Sequence, residues 1–66
     1  MLSAREREVL RLVSQGASNP EIASAVFVSR KTVERHVSNI LRKVGARNRT
    51  ELAATAINWR NEGVHG

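Results

Sequence analysis

The fold class predicted for this 66-residue chain is all-α, a small single domain of four helices. Three observations predict it. A helix-opening pair, Ser or Asn followed three residues later by Glu, recurs at Ser3/Glu6, Ser18/Glu21 and Asn48/Glu51. Between these openings the apolar residues repeat at helical spacing. There is no cysteine, so neither disulfides nor thiolate metal sites can hold so short a chain together, and packed helices must.

The first helix is expected from Ala4 to about residue 15. Ser3 and Glu6 open it, and Val9, Leu10 and Val13 form its apolar stripe. Gly16 suits the left-handed position that ends a helix. Leu2, just before the cap, can staple onto the first turn. The second helix is short, about residues 19–26. Ser18 caps it, Pro20 sits in the first turn where proline is tolerated, and Ile22, Ala23 and Val26 face inward. Phe27 and Val28 follow in a turn. Two large apolar residues there imply that the turn itself packs into the core.

Ser29 caps a third helix over residues 30–44, ended by Gly45 and about 22 Å long. Val33, Val37, Ile40, Leu41 and Val44 make one apolar stripe. The opposite side holds Lys31, Arg35, Ser38 and Arg42, with Thr32, His36, Asn39 and Lys43 along one flank and Glu34 along the other. Asn48 and Glu51 open a fourth helix over about residues 49–61, leaving a frayed tail at 63–66. Its apolar arc (Leu52, Ala53, Ala56, Ile57 and Trp59, with Ala54 at the edge) is wider than one packing neighbour covers.

The second and third helices are joined by only about three residues. They cannot lie side by side and must cross steeply, which is a helix-turn-helix arrangement. Charge agrees with what that motif does. The chain carries 11 basic and 6 acidic residues, a net +5. Seven of those cations lie between Arg30 and Arg49, opposed only by Glu34, while the rest of the chain sums to −1. So local a cationic footprint points to a polyanion, with duplex DNA first.

The residue types on the third helix are those that read base edges in a major groove. Lys31 and Arg35 can bond guanine, Glu34 can accept from cytosine, and Ser38 can do either. Ser18, Asn19, Arg30, Thr32, His36, Arg42, Lys43, Arg47 and Arg49 are candidates for the phosphate backbone, which cations, hydroxyls and helix N-termini contact. Other chemistry is poorly supplied. His36 and His65 are the only histidines and no cysteine accompanies them, so no metal site is expected. Short helices offer no water-excluding pocket for a catalytic triad, no Gly-rich phosphate loop is present, and no enzyme or cofactor is expected. The only aromatics, Phe27 and Trp59, read as core or interface, against a base-stacking single-strand module. No apolar run approaches a membrane span.

From Leu2 to about Ala56 the chain resembles the LuxR/FixJ/GerE-type DNA-binding domain of bacterial transcription regulators. The resemblance is carried by L-S-A-R-E-R-E-V-L-R-L-V-S-Q-G-A-S-N-P-E-I-A and by V-F-V-S-R-K-T-V-E-R-H-V-S-N-I-L-R-K-V-G-A-R-N-R-T-E-L. It implies a tetrahelical helix-turn-helix domain, normally the cytoplasmic output domain of a response regulator, whose third helix reads DNA. Glu34, Arg35 and Ser38 match base-reading positions. Asn19, Thr32, His36 and Lys43 match backbone positions, and Glu6 matches a buried or bridging glutamate. The fourth helix matches the element many members use to form homodimers, here Ala54, Ile57 and Trp59. RNA polymerase is a further expected partner. The chain reads as an excised C-terminal domain or a stand-alone member. The competing expectations are a sigma-factor region-four-like domain, sharing the E-I-A and T-V spacing, and a basic helical module that meets an acidic protein.

Overall fold

In a computed structural model the backbone is described for residues 2–65 and the side chains for residues 2–57. Four helices follow one another: α1 (Ala4–Ser14), α2 (Asn19–Val26), α3 (Arg30–Val44) and α4 (Arg49–His65), with no strand among the described residues. The first three starts are written in the sequence as caps. Ser3 Oγ accepts from the Glu6 N–H at 3.1 Å, and Glu6 Oε1 accepts in return from the Ser3 N–H at 2.9 Å. Ser18 and Glu21 make the same reciprocal pair at 3.3 and 2.8 Å. Ser29 Oγ accepts from the Thr32 N–H at 3.1 Å. Each cap satisfies donors that a helix start otherwise leaves unpaired, worth about 1 kcal/mol.

The fourth start departs from the expected reciprocal pair. Asn48 Oδ1 accepts from the Glu51 N–H at 2.8 Å, but the Glu51 carboxylate turns one residue further out. It accepts from the Arg47 N–H at 3.0 Å and from Arg47 Nε at 3.4 Å, because Arg47 offers a charge there and Asn48 does not. Two ends also differ. The first helix closes at Ser14, with Gln15 as its cap. The fourth runs to His65, where the sequence suggested an end near Asn61 and a frayed tail. No proline follows Asn61, and a lone Gly63 costs a helix only about 1 kcal/mol.

The core gathers one stripe from each helix: Val9, Leu10 and Val13 from α1; Ile22, Ala23 and Val26 from α2; Val33, Val37 and Ile40 from α3; Leu52 and Ala56 from α4. Leu2, just before the cap of α1, is buried in the same core, although the fourth helical position a staple would meet is the exposed Arg7. α1 packs on all three other helices, and α3 does as well. Each fully buried Ile, Leu or Val contributes about 1.5–3 kcal/mol. Among the described residues no buried side-chain polar atom lacks a partner.

Glu6 is the one charged residue inside among the described residues, 5% exposed. Besides the Ser3 N–H, its Oε1 accepts from Lys43 Nζ at 2.9 Å, tying the start of α1 to the end of α3. The Ser3 N–H first, and then Lys43, holds its pKa down from the ordinary 4.5 to about 2. Glu21 is lowered too, by the Ser18 N–H it accepts from.

The turn between α2 and α3 corrects an expectation. Phe27 does not pack into the core; it is 91% exposed. It has φ 59°, the left-handed region, which a non-glycine residue enters at a cost of about 1–2 kcal/mol. The cause is the helix end it forms. The N–H groups of Phe27 and Val28 both donate to Ala23 O, closing α2 as Gly45 and Ala46 close α3 on Leu41 O. That geometry turns the Phe27 side chain out to solvent, while Val28 packs against the core.

Two outcomes follow for stability. Phe27→Gly relieves the left-handed strain and forfeits no burial, so it should stabilise by about 0.5–1 kcal/mol after glycine's extra unfolded-state entropy. A thermal melt checks this, and a lowered midpoint would mean the ring makes a contact that matters. A carboxylate with a depressed pKa contributes stability that is full above its unfolded value and is lost as pH falls through its folded value. Stability should therefore hold at neutral pH and fall between 4.5 and about 2. Glu6→Gln should start lower at neutral pH and flatten that fall; urea titrations across the range read both, and an equally steep acid loss in Glu6→Gln would assign it to other groups.

Candidate nucleic-acid interface

The stripe that buries α3 decides what its other side presents. Val33, Val37 and Ile40 are buried, with Leu41 and Val44 half-buried beside them. Lys31, Arg35, Ser38 and Arg42 are exposed on the far side, as their spacing predicts, and Glu34 is exposed along one flank. Thr32, His36 and Asn39 are half-buried along the flank. Ser29 starts α3 sharply, so the exposed side chains begin within its first turn. The starts of α2 and α3 come together there. Asn19, Pro20, Arg30, Lys31 and Glu34 line one open depression between them.

The cations among the candidate DNA contacts divide into two groups. Arg30, Lys31 and Arg35 are exposed and have no hydrogen-bond or ion-pair partner among the described residues. The others on the expected backbone set are occupied internally. Lys43 donates to Glu6 at 2.9 Å with its side chain 43% exposed. Arg42 Nη2 donates to Asn39 Oδ1 at 2.8 Å, and Arg47 pairs with Glu51 at 3.4 Å. Arg49 Nη1 donates to Asn19 Oδ1 and its Nη2 to Ala17 O, both at 2.6 Å. The hydroxyls are engaged as well: Ser18 in the cap of α2, and Thr32 with Ser29 at 2.9 Å. The sequence did not show the partners of Lys43 and Arg49, because those bonds join residues 30 to 37 positions apart.

On α4, Leu52 and Ala56 face inward, Ala53 and Thr55 are half-buried, and Ala54 and Ile57 lie outside, Ile57 at 48% exposure. The Trp59 side chain lies outside the described residues. The depressions at the chain's surface gather no set of three or more His, Cys, Asp or Glu side chains among the described residues. No described helix is long and apolar enough to cross a membrane.

Comparison with known proteins agrees with this architecture. The family described as bacterial regulatory proteins, luxR family, matches residues 1–56. An uncharacterized transcriptional regulatory protein, YhcZ of Bacillus subtilis, is 45% identical over 62 residues, 94% of this chain and 29% of its own length. The response regulator protein VraR of Staphylococcus aureus is 53% identical over 56 residues, 85% of this chain and 27% of its own. The CsgBAC operon transcriptional regulatory protein of Escherichia coli is 39% identical over 64 residues, 97% of this chain and 28% of its own. The chain thus spans under a third of the length of the curated relatives it matches. A family match over most of the chain, on four helices with the expected stripe and caps, leads to one conclusion: this chain belongs to the luxR family of bacterial regulatory proteins.

Proposed function

We propose that this domain binds duplex DNA sequence-specifically as the non-enzymatic output domain of a transcription regulator, with α3 in the major groove. One observation carries the reading. The side of α3 opposite its buried stripe presents Lys31, Arg35 and Ser38 together, with Glu34 exposed along its flank, and Lys31 and Arg35 are unpaired among the described residues. Lys31 and Arg35 supply donors for guanine, Glu34 an acceptor for cytosine, and Ser38 either. Arg30, beside the depression between α2 and α3, is placed for phosphate. His36 flanks the same face. Lys43, Arg42, Arg47 and Arg49 act on DNA, in this reading, only through or after their internal bonds.

Pairing through α4 completes the reading. Ala54 and Ile57 form an exposed apolar edge, Ile57 with about half of its surface open. Two copies meeting there would set two recognition helices about one helical turn apart, with half-site centres about 10–10.5 bp apart. An acidic protein partner, the other class that fits a basic face, would show no dependence on base sequence.

Selection of duplexes from a random pool, followed by binding across salt concentrations, tests the reading. Affinity should fall with salt at a log–log slope of about −0.9 per phosphate neutralised. Arg35→Ala should cost about 1–3 kcal/mol and relax preference at particular base pairs. Arg30→Ala should weaken all sequences alike and reduce the slope by about 1. Identical specificity profiles for the two variants would refute this division of roles, and a slope near zero for the unaltered domain would remove DNA as the ligand. For the pairing, Ile57→Glu should leave the domain folded by circular dichroism yet lose cooperative binding to a two-site duplex. Undiminished cooperativity would place the contact elsewhere.

A further inference from the structure

Arg49 stands where local electrostatics disfavour it. It is the first residue of α4, and a cation there faces the positive end of that helix's dipole. Its guanidinium instead reaches across to another element. One Nη donates to Asn19 Oδ1 and the other to Ala17 O, each at 2.6 Å. Asn19 is the first residue of α2, and Ala17 lies in the loop that leads into it. Among the described residues no backbone packing joins α2 to α4, so this side chain is what links the two helix starts.

The chemistry of the pair fixes an orientation. A guanidinium has donors only, so the Asn19 atom that meets it must be the amide oxygen. The Asn19 NH2 group is then the end left over. Asn19 also lines the depression shared with Arg30 and Lys31. We infer that Arg49 is a positioning residue for DNA binding: it turns the Asn19 amide so that its NH2 donates outward beside Arg30 and Lys31, and its own charge is not a phosphate contact. The inference rests on the DNA reading above.

Charge and geometry can be separated with Arg49→Lys, which keeps the cation but has no planar fork to reach both oxygens. Binding of the 66-residue chain to a labelled duplex of mixed sequence would be followed by anisotropy across salt, for Arg49→Lys, Arg49→Ala, Asn19→Ala and the Arg49→Ala/Asn19→Ala double variant. Circular dichroism melts confirm that each is folded. Arg49→Lys should bind about tenfold more weakly, like Arg49→Ala, with the salt slope unchanged. In the Asn19→Ala background, replacing Arg49 should cost almost nothing more. In the DNA-free chain, Arg49→Lys should shift the Asn19 side-chain NH2 resonances in an NMR spectrum. Near-normal binding by Arg49→Lys, with a slope reduced by about 0.9 in Arg49→Ala, would make Arg49 a direct phosphate contact and overturn the inference. Additive losses in the double variant, or an unmoved Asn19 resonance, would overturn it as well. Absence of salt-dependent binding by the unaltered chain is a different result, and it would defeat the DNA reading itself.

Discussion

The three residues between α2 and α3 constrain everything downstream of them. Phe27 ends one helix in the left-handed region, and Ser29 opens the next in an extended conformation. Only Val28 lies between. With so little chain, α3 must leave at a steep angle to α2, and the small Ala23 lets the two approach closely. Once that angle is fixed, α1 and α4 have a defined pair of grooves to fill, and the stripe Val33, Val37 and Ile40 has a single direction in which to be buried. The strain at Phe27 is the cost of a turn this short made without glycine.

Electrostatics then sort the cations by whether an internal acceptor lies within reach. Glu6 takes Lys43, Glu51 takes Arg47, and Asn19 with the Ala17 carbonyl takes Arg49. Each of these ties joins the end or start of one element to another element or to its own first turn. The partly buried ties are worth more than the exposed Arg47 pair, which water and salt screen. Among the described residues Lys31 and Arg35 remain unengaged on the outward side of α3 and Arg30 at its start, while Arg7 and Arg11 remain unengaged on α1.

Most of the fold was legible in the sequence because its signals are local. A capping serine and its glutamate sit three residues apart, and a stripe is read within a single helix. The stripe of α3, its outward residues and the inward side of α4 at Leu52, Ala53 and Ala56 could be assigned for that reason, Ala53 being half-buried and the other two buried. The site was legible in its residue types and not in its partners. The Lys43 bond to Glu6 spans 37 positions and the Arg49 bond to Asn19 spans 30, distances over which no spacing rule operates. Phe27 misled for a related reason. An apolar residue in a turn reads as buried, and nothing in the letters shows that the helix end demands a left-handed backbone that swings the ring outward.

Stability and recognition draw on separate sides of α3, and this has an evolutionary consequence. Lys31, Glu34, Arg35 and Ser38 are exposed, and none holds another described residue in place. Exchanging exposed side chains of that kind usually alters stability by no more than about 0.5 kcal/mol. A lineage of such domains can therefore wander through many surface chemistries at these four positions while the scaffold stays under unbroken selection. Paralogues that inherit one architecture are free to diverge in what they recognise without passing through an unfolded intermediate sequence.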